Sequence, residues 1–410
     1  MKPNLILTTA AVLLLAVQVN AQEQVNVNLN TDNKTSVNLS QNVQITTTKN
    51  GKSTTVVYGT NSKVQDEQDD TPMKSKTFSK SFSIDKSDKV NLANQYGSIT
   101  LKTWDKSEIK VDVDMKAYAK TAEEAQKLID DLSITATKTG DLVSYKTERG
   151  DKNGNWGSNV KNGKTIWRRE IKVHYTVFMP ANNSLTVSQQ YGNINLADFS
   201  GPTSLKVQYG NLIAGNLNNS NNYISIQYGK GTVKDMGGAT IKHQYGGGIS
   251  VGTVGNLDLN AQYTSATIAK VSGTATIKHQ YGGGTTIGSA SGGAINVNTQ
   301  YAPVKIGSLN SNLTSRAQYG KIIIDDIEAG KDVDVDAQYS TVTLGFANSY
   351  SADFDVKTQY GSFKYGTNVT AKREDDEKRY NSNKNYTGQI AKGGNAKVIV
   401  KAQYTSVTFK

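Results

Sequence analysis

LTVSQQYGNINLADFSGPTSLKVQYGNL, residues 185–212, contains two copies of a Gln-Tyr-Gly motif. The Gln-Tyr pair recurs along the chain, and between residues 190 and 359 its spacing stays between 17 and 21 residues. The glutamines of the pairs are Gln95, Gln190, Gln208, Gln227, Gln244, Gln262, Gln280, Gln300, Gln318, Gln338, Gln359 and Gln403. A fixed period of this length indicates a repeat protein, in which each repeat packs on its neighbours.

Apolar residues hold fixed positions around each pair. Ile194 and Leu196 lie four and six residues after Gln190, and Val187 lies three residues before it. Apolar residues two apart are typical of a strand with one buried face. The parity changes across the Tyr-Gly step, which predicts a bend there. We expect the glycine to supply the positive φ that a sharp turn needs.

These phases predict an all-β chain that forms a right-handed parallel β-solenoid, or β-helix, of about ten coils. Equivalent positions of stacked coils would form rows, with the tyrosines in an aromatic ladder and the glutamines in an amide ladder. We interpret the tyrosine ladder as structural packing rather than a ligand site. Its members are Tyr191, Tyr209, Tyr228, Tyr245, Tyr263, Tyr281, Tyr301, Tyr319, Tyr339 and Tyr360.

Two stretches interrupt the repeats within a predicted solenoid domain of residues 73–410. Residues 105–183 are predicted to be a small α/β insertion near the N-terminal end. It contains the helix TAEEAQKLIDDL, with Thr121 as its N-cap, and we expect it to cover the end of the solenoid. Residues 366–395 are predicted to be a charged, solvated loop. Residues 22–72 are rich in Asn, Thr, Gln and Ser, and we expect them to be flexible or to form a few edge strands at most.

Residues 1–21 are predicted to be a signal peptide. An apolar run from Leu5 to Val17 precedes the small-residue cleavage site Val19-Asn20-Ala21. The run is too short to span a bilayer, so we expect no integral membrane segment. The sequence therefore predicts export to the periplasm, the outer surface or the extracellular space. The chain has no cysteine, so its stability must come from burial and backbone pairing rather than disulfides.

The net charge of +11 does not indicate a nucleic-acid partner. Basic and acidic residues are mixed along the chain, and no segment concentrates Lys and Arg with aromatics as a phosphate-tracking groove would. The mixed surface is typical of a soluble exported protein, and weak attraction to anionic envelope polymers is the alternative.

No pattern of catalytic, cofactor-binding or metal-binding residues stands out. His243 and His279 occupy the same place in two IKHQYGGG repeats, too far apart to share a metal, so we expect a structural role. An acidic run that includes Asp325 and Asp334 has no calcium-loop spacing and reads as the outer face of a strand. We therefore expect neither an enzyme nor a cofactor.

Trp156 is the most interesting candidate for ligand contact. It lies in a polar loop with Lys152 and Lys161, where an exposed indole could stack on a sugar ring or anchor a partner. The alternative is that the indole folds back over its own sheet.

Three segments resemble an adhesin-like β-solenoid family of exported proteins of unknown function from Bacteroidetes-type bacteria. They are SFSIDKSDKVNLANQYGSITLKTWDKSEIKVDV, VHYTVFMPANNSLTVSQQYGNINLADFSG and GGNAKVIVKAQYTSVTFK. The resemblance covers nearly everything after Lys74. It implies a non-catalytic cell-envelope or surface protein that binds a glycan or protein of the envelope or cell surface, and it supplies no catalytic residues. Two alternatives stay open: a curli-like amyloid fibre subunit and a carbohydrate-active β-helix enzyme.

Overall fold

The computed structural model describes four N-terminal strands, which lie within residues 26–58, and residues 71–150, 156–161, 164–374 and 382–410. The chain divides into two compact units, Met1–Asp70 and Thr71–Lys410. The predicted signal peptide lies outside the described residues.

The first unit contains two antiparallel pairs of strands. β1 (Asn26–Leu29) pairs with β2 (Thr35–Asn38), and β3 (Val43–Lys49) pairs with β4 (Lys52–Tyr58). These strands fall in the polar segment 22–72.

The second unit begins with strands that flank one helix, α1 (Ala122–Asp130). These strands are β5 (Met73–Ser83), β6 (Lys89–Thr103), β7 (Glu108–Tyr118), β8 (Leu132–Thr139), β9 (Leu142–Arg149), β10 (Gly157–Lys161) and β11 (Lys164–Met179).

The repeats then supply a long series of strands. They are β12 (Ser184–Leu196), β13 (Thr203–Gln208), β14 (Leu212–Ala214), β15 (Asn222–Gln227), β16 (Lys230–Val233), β17 (Met236–Gln244), β18 (Gly248–Val271), β19 (Ala275–Ser291), β20 (Ile295–Gln300), β21 (Val304–Asn310), β22 (Leu313–Gln318), β23 (Lys321–Ile327), β24 (Val333–Gln338) and β25 (Thr341–Phe346). The last strands are β26 (Ala352–Gln359), β27 (Ser362–Tyr365), β28 (Val369–Arg373), β29 (Asn383–Ile390), β30 (Ala396–Gln403) and β31 (Ser406–Phe409).

Strands of neighbouring repeats pair in parallel and in register. Gln190 of β12 lies opposite Gln95 on one side and Gln208 on the other, and the pairing continues from repeat to repeat through β24. β24 next pairs with β30, and β30 pairs with β26, so the last two Gln-Tyr motifs are inverted in spatial order. Because the register is kept, residues at equivalent repeat positions are nearest neighbours across strands.

The predicted right-handed parallel β-solenoid of about ten coils is wrong, whereas the all-β class is confirmed. The strands include a closed seven-strand parallel β-barrel, with many strands outside it. The spacing of the apolar residues predicts which residues of a strand are buried, but it does not predict which strand edges pair with each other. Closure of the sheet into a barrel removes free strand edges, and it depends on that pairing. β18, with 24 residues, also continues through the Gln262-Tyr263 step where a corner is predicted.

The backbone at the motif also differs from expectation. Tyrosine, not glycine, adopts the positive φ: all motif tyrosines have φ between 48° and 62°. The glycine is required for another reason. A Cβ on Gly210 would overlap the backbone carbonyl oxygen of Gly192, the equivalent residue of the preceding repeat. Glycine therefore allows the close approach of backbones in adjacent repeats.

The segment 105–183 joins the main sheet through two of its strands. β9 pairs with the first half of β6 and β11 with the second half, both in parallel, while β12 lies along the other edge of β6. The predicted N-cap of α1 is confirmed, because Thr121 Oγ1 accepts a hydrogen bond from the Glu124 amide at 3.2 Å. The helix buries Ala125, Leu128 and Ile129.

The segment 366–395 is not a loop throughout. It contains β28 and β29, which pair antiparallel with each other, and β29 also pairs with β26. Val369 and Ile390 are buried and lie opposite each other. These two anchors and the otherwise open edge of β26 explain why a charged segment forms strands.

Candidate functional site

The motif tyrosines form one continuous stack, which we call the tyrosine row. Successive rings are nearly parallel, with interplanar angles of 3–14° and centroids 4.7–5.4 Å apart. The row begins at Tyr96 and ends with Tyr339, Tyr404 and Tyr360, which follows the order of the strands. Most of these side chains are close to half exposed. Since neighbouring rings cover both faces of every internal tyrosine, the exposed part is ring edge.

The motif glutamines form a second row beside the first, the glutamine row. Their side-chain amides donate to one another across strands, for example from Gln190 Nε2 to Gln208 Oε1 at 3.0 Å and from Gln227 Nε2 to Gln244 Oε1 at 3.0 Å. Each amide carries two N–H donors and an oxygen with two lone pairs. A glutamine that uses one donor and one lone pair within the row keeps one of each for a ligand.

Three grooves lie along the glutamine row. The largest, of about 550 Å³, is lined by Gln338, Gln359 and Gln403 among others. A second, of about 370 Å³, is lined by Gln95, Gln190, Gln208 and Gln227. The third, of about 280 Å³, includes four glutamines as well, Gln280, Gln300, Gln318 and Gln338. The grooves are open and are lined mostly by polar and charged residues. They share this one row, so together they mark an extended surface.

The candidate ligand contact at Trp156 is half buried. Its ring packs against the core, and two guanidinium groups contact the ring, that of Arg149 at 4.3 Å and that of Arg169 at 5.0 Å from the ring centroid. Lys152 lies outside the described residues. Lys161 is the last residue of β10, and its side chain is not described. The structure therefore does not bring these three residues together in a described site.

The acidic run is spread along strands and turns. Asp325 forms an ion pair with Lys305 at 2.9 Å, and Asp334 is exposed on β24. Asp332 Oδ1 accepts a hydrogen bond from the Lys397 amide at 2.9 Å, which ties a turn to the next strand. Among the described residues, no group of three or more His, Asp or Glu side chains has the arrangement of a metal site.

The two repeat histidines are fully buried. His243 Nε2 lies 3.1 Å from the Gly229 carbonyl oxygen, and its Nδ1 lies 2.8 Å from Thr264 Oγ1. His279 makes the equivalent contacts with Thr264 and Thr285. A carbonyl oxygen only accepts, so each Nε2 carries the proton of a neutral ring. Burial lowers the pKa of both rings.

No protein-family model matches the chain, and no curated protein matches it. Solved structures to which it is similar include candidate adhesins from Parabacteroides distasonis and Parabacteroides merdae. The first is 10% identical with a TM-score of 0.26 and covers 81% of this chain and 97% of its own; the second is 11% identical with a TM-score of 0.25 and covers 82% and 96%. A candidate cell adhesion protein from Clostridium sporogenes is 9% identical with a TM-score of 0.17 and covers 82% and 99%. These descriptions agree with the adhesin-like family that the sequence resembles. At such TM-scores the likeness itself carries no argument about fold or function.

In the described part of the chain we find no helix with the length and hydropathy to span a bilayer.

Proposed function

We propose that this chain is a non-catalytic, exported cell-envelope or surface protein that binds other envelope or surface components through the face that carries the glutamine row. One observation supports the proposal most directly: three open grooves, lined mostly by polar and charged residues, share a single row of regularly spaced amides. An extended row suits a polymer or a broad surface better than a single small molecule, which is usually held in an enclosed apolar pocket.

The glutamine side chains of the row are already ordered, which favours a role in binding a ligand. The amides are held by one another and by paired backbones, so a ligand would not have to order them. Exposed glutamines on flexible loops would lose side-chain entropy on binding, whereas these glutamines are already fixed.

Binding is tested with the purified chain and insoluble envelope material from the cells that produce it. We expect the chain to sediment with this material, and the variant Gln208→Ala, Gln227→Ala, Gln244→Ala to remain in solution. A matched control is Thr232→Ala, Ser250→Ala, Thr267→Ala, because these exposed residues lie on the strands that follow the tyrosines. Equal sedimentation of the two variants, or none by the parent chain, would contradict the assignment of the surface.

Export and the lack of catalysis have separate tests. Cell fractionation should find the chain in the envelope or medium, with residues 1–21 removed; recovery of the uncleaved chain from the cytoplasm would refute export. Release of new reducing ends from any envelope polysaccharide, abolished by Asp325→Ala or Asp334→Ala, would establish an enzyme instead. Thioflavin-positive fibres from dilute native protein would establish the amyloid alternative.

A further inference from the structure

A third cross-strand row accompanies the glutamine row, two residues before each glutamine. Parallel register places these residues opposite one another from strand to strand. In spatial order the row reads Ala93, Ser188, Lys206, Ser225, Lys242, Asn260, Lys278, Asn298, Arg316, Asp336, Lys401 and Lys357. We call it the basic row.

From Lys206 to Lys401, five cations of the basic row occupy every second position, and a sixth, Lys357, lies directly beside Lys401. Serine or asparagine stands between them, with Asp336 as the one acidic residue. Adjacent strands are about 4.8 Å apart, so successive cations are about 10 Å apart and the five of them span about 40 Å. In the sequence, the alternation consists of a Lys or Arg two residues before the glutamine of alternate repeats. It is missed when basic and acidic residues are only counted over long segments.

The five cations are exposed and available to a ligand. Their strands turn these side chains to solvent, as the burial pattern of each strand shows. Across the described residues, none of these five has a carboxylate within ion-pair distance. The sixth cation of the row, Lys357, pairs with Asp355, as Lys305 outside the row pairs with Asp325. Lys242 lies 5.7 Å from the Tyr223 ring, and this cation–π contact adds no negative charge beside the lysine.

The basic row and the glutamine row line the same grooves. Lys206 lies in the groove with Gln190 and Gln208, Arg316 in the one with Gln300 and Gln318, and Lys401 in the largest one. Between Lys206 and Lys401, a ligand along the two rows would therefore meet a positive charge at every second repeat and an amide at every repeat.

We propose that this surface binds a linear acidic polysaccharide that lies along the two rows and carries one anionic group on every second sugar. This proposal rests on the proposed function and names its ligand class. In extended sugar chains each residue advances the polymer by nearly the distance that separates strands in a sheet, so one sugar would meet each repeat. Alternate carboxylates would then face alternate cations, while sugar hydroxyls would exchange hydrogen bonds with the free donor and lone pair of each glutamine.

The same geometry disfavours a nucleic acid. Single-stranded nucleic acids bind through aromatic faces on which bases stack, and the tyrosine row has its faces covered by its own neighbours. A nucleic acid also carries a phosphate on every nucleotide, so its charge period does not alternate.

The test measures the affinity of the purified chain for hyaluronan, which carries one carboxylate per disaccharide. Controls are hyaluronan reduced to the neutral alcohol, polygalacturonate with a carboxylate on every sugar, and single-stranded oligo(dT). We expect hyaluronan to bind more tightly than all three. Tighter binding of oligo(dT) would overturn the ligand class, and equal binding of hyaluronan and polygalacturonate would overturn the charge period.

Three variants test the row itself. Lys206→Gln, Lys242→Gln, Lys278→Gln should weaken hyaluronan binding by about tenfold, since each exposed ion pair contributes modestly. Lys234→Gln, Lys270→Gln, Lys321→Gln removes the same charge from exposed positions outside the row and should change affinity by less than about twofold. Ser225→Lys with Lys242→Ser keeps the charge but breaks the alternation, and should weaken binding as Lys242→Ser alone does.

Equal losses in the row and control variants would mean general attraction of a polyanion and would overturn the proposal. If no acidic polysaccharide binds but the chain still sediments with envelope material through its glutamines, this proposal fails and the proposed function stands. If neither occurs, both fail.

Discussion

The repeats from β12 to β25 and the segment 105–183 hold the same chain together in different ways. In the repeats, equivalent residues are neighbours across parallel strands, so one type of contact recurs many times. In the segment, β7 pairs antiparallel with β5 and β11, and most of its residues lie opposite a residue of another type. A substitution in a repeat therefore disturbs a contact that depends on neighbouring repeats, whereas one in the segment disturbs a contact of its own. This contrast can be tested by substitutions in both regions and by a change of pH.

The largest effect is expected from glycine at the motif. Gly210→Ala would place a Cβ against the backbone of Gly192, which cannot move without shifting a paired strand, so we expect a loss of about 3 kcal/mol in the free energy of unfolding. Gly150→Ala is the matched change in the segment, where the new Cβ would meet only the Asp131 side chain at 3.5 Å. It should cost less than about 0.5 kcal/mol. Urea unfolding of both variants checks this, and similar midpoints would contradict the contrast.

The next effect concerns the tyrosine row. Tyr263 stacks on Tyr245 at 5.1 Å and on Tyr281 at 5.0 Å, so Tyr263→Ala should cost about 2 kcal/mol. Tyr360 ends the row and stacks on Tyr404 alone among the described residues, so its alanine variant should cost about half as much.

A second variant at Tyr263 separates stacking from backbone strain. Tyr263 has a φ of 52°, which disfavours alanine but not glycine. Tyr263→Gly should therefore be about 1 kcal/mol more stable than Tyr263→Ala in the same urea experiment. If the two are equal, the tyrosine conformation carries no strain.

The repeats and the segment also differ in their response to acid. Burial lowers the pKa of His243 and His279 below the usual 6.5, so the unfolded chain binds more protons than the folded one. Their contribution is complete above pH 6.5 and is lost as the pH falls from 6.5 through the lowered pKa of the folded protein. Carboxylates of the segment with a lowered pKa, such as Glu148 beside Lys146, lose theirs only in a more acidic range, below about pH 4.

The pH effect is measured as the free energy of unfolding from about pH 8 to about pH 5. His243→Ala with His279→Ala should lower stability at all pH values, because the hydrogen bonds of both rings are lost, and should flatten its dependence on pH, because the titrating groups are gone. Alanine fits this position, since Ala261 lies between the two histidines in the same row. His174 in the segment, whose pKa burial also lowers, should leave a smaller residual slope. A slope unchanged by the double substitution would show that these rings do not titrate on unfolding.

The contrast between the two regions also explains what the sequence could predict. Local rules succeeded where one residue decides the outcome: Ile194, Leu196 and Val187 are buried as their spacing indicates, and Thr121 caps its helix. Closure into a barrel could not be predicted, because it depends on which distant strand edges meet. The general preference of glycine for positive φ predicts that conformation at the glycine of the motif. In the structure the tyrosine has the positive φ, which is stabilised by the stacked rings and, at Tyr209, by the hydrogen bond from its amide to the Gln227 carbonyl oxygen. The basic row needs both the repeat and the register, so it becomes visible only when equivalent residues are known to be neighbours.

The smallest effect is expected at the helix of the segment. Thr121→Ala removes the side-chain oxygen that accepts the Glu124 amide, which should cost about 1 kcal/mol. Because α1 packs through its own buried face, the loss should stay local: hydrogen exchange should accelerate in residues 122–130 and remain unchanged in β17, β18 and β19. Thr121→Ser, which keeps the accepting oxygen, is the control and should exchange like the parent chain. Faster exchange throughout the repeats would mean that the segment and the repeats unfold as one cooperative unit, and that the difference in their contacts does not make their stabilities independent.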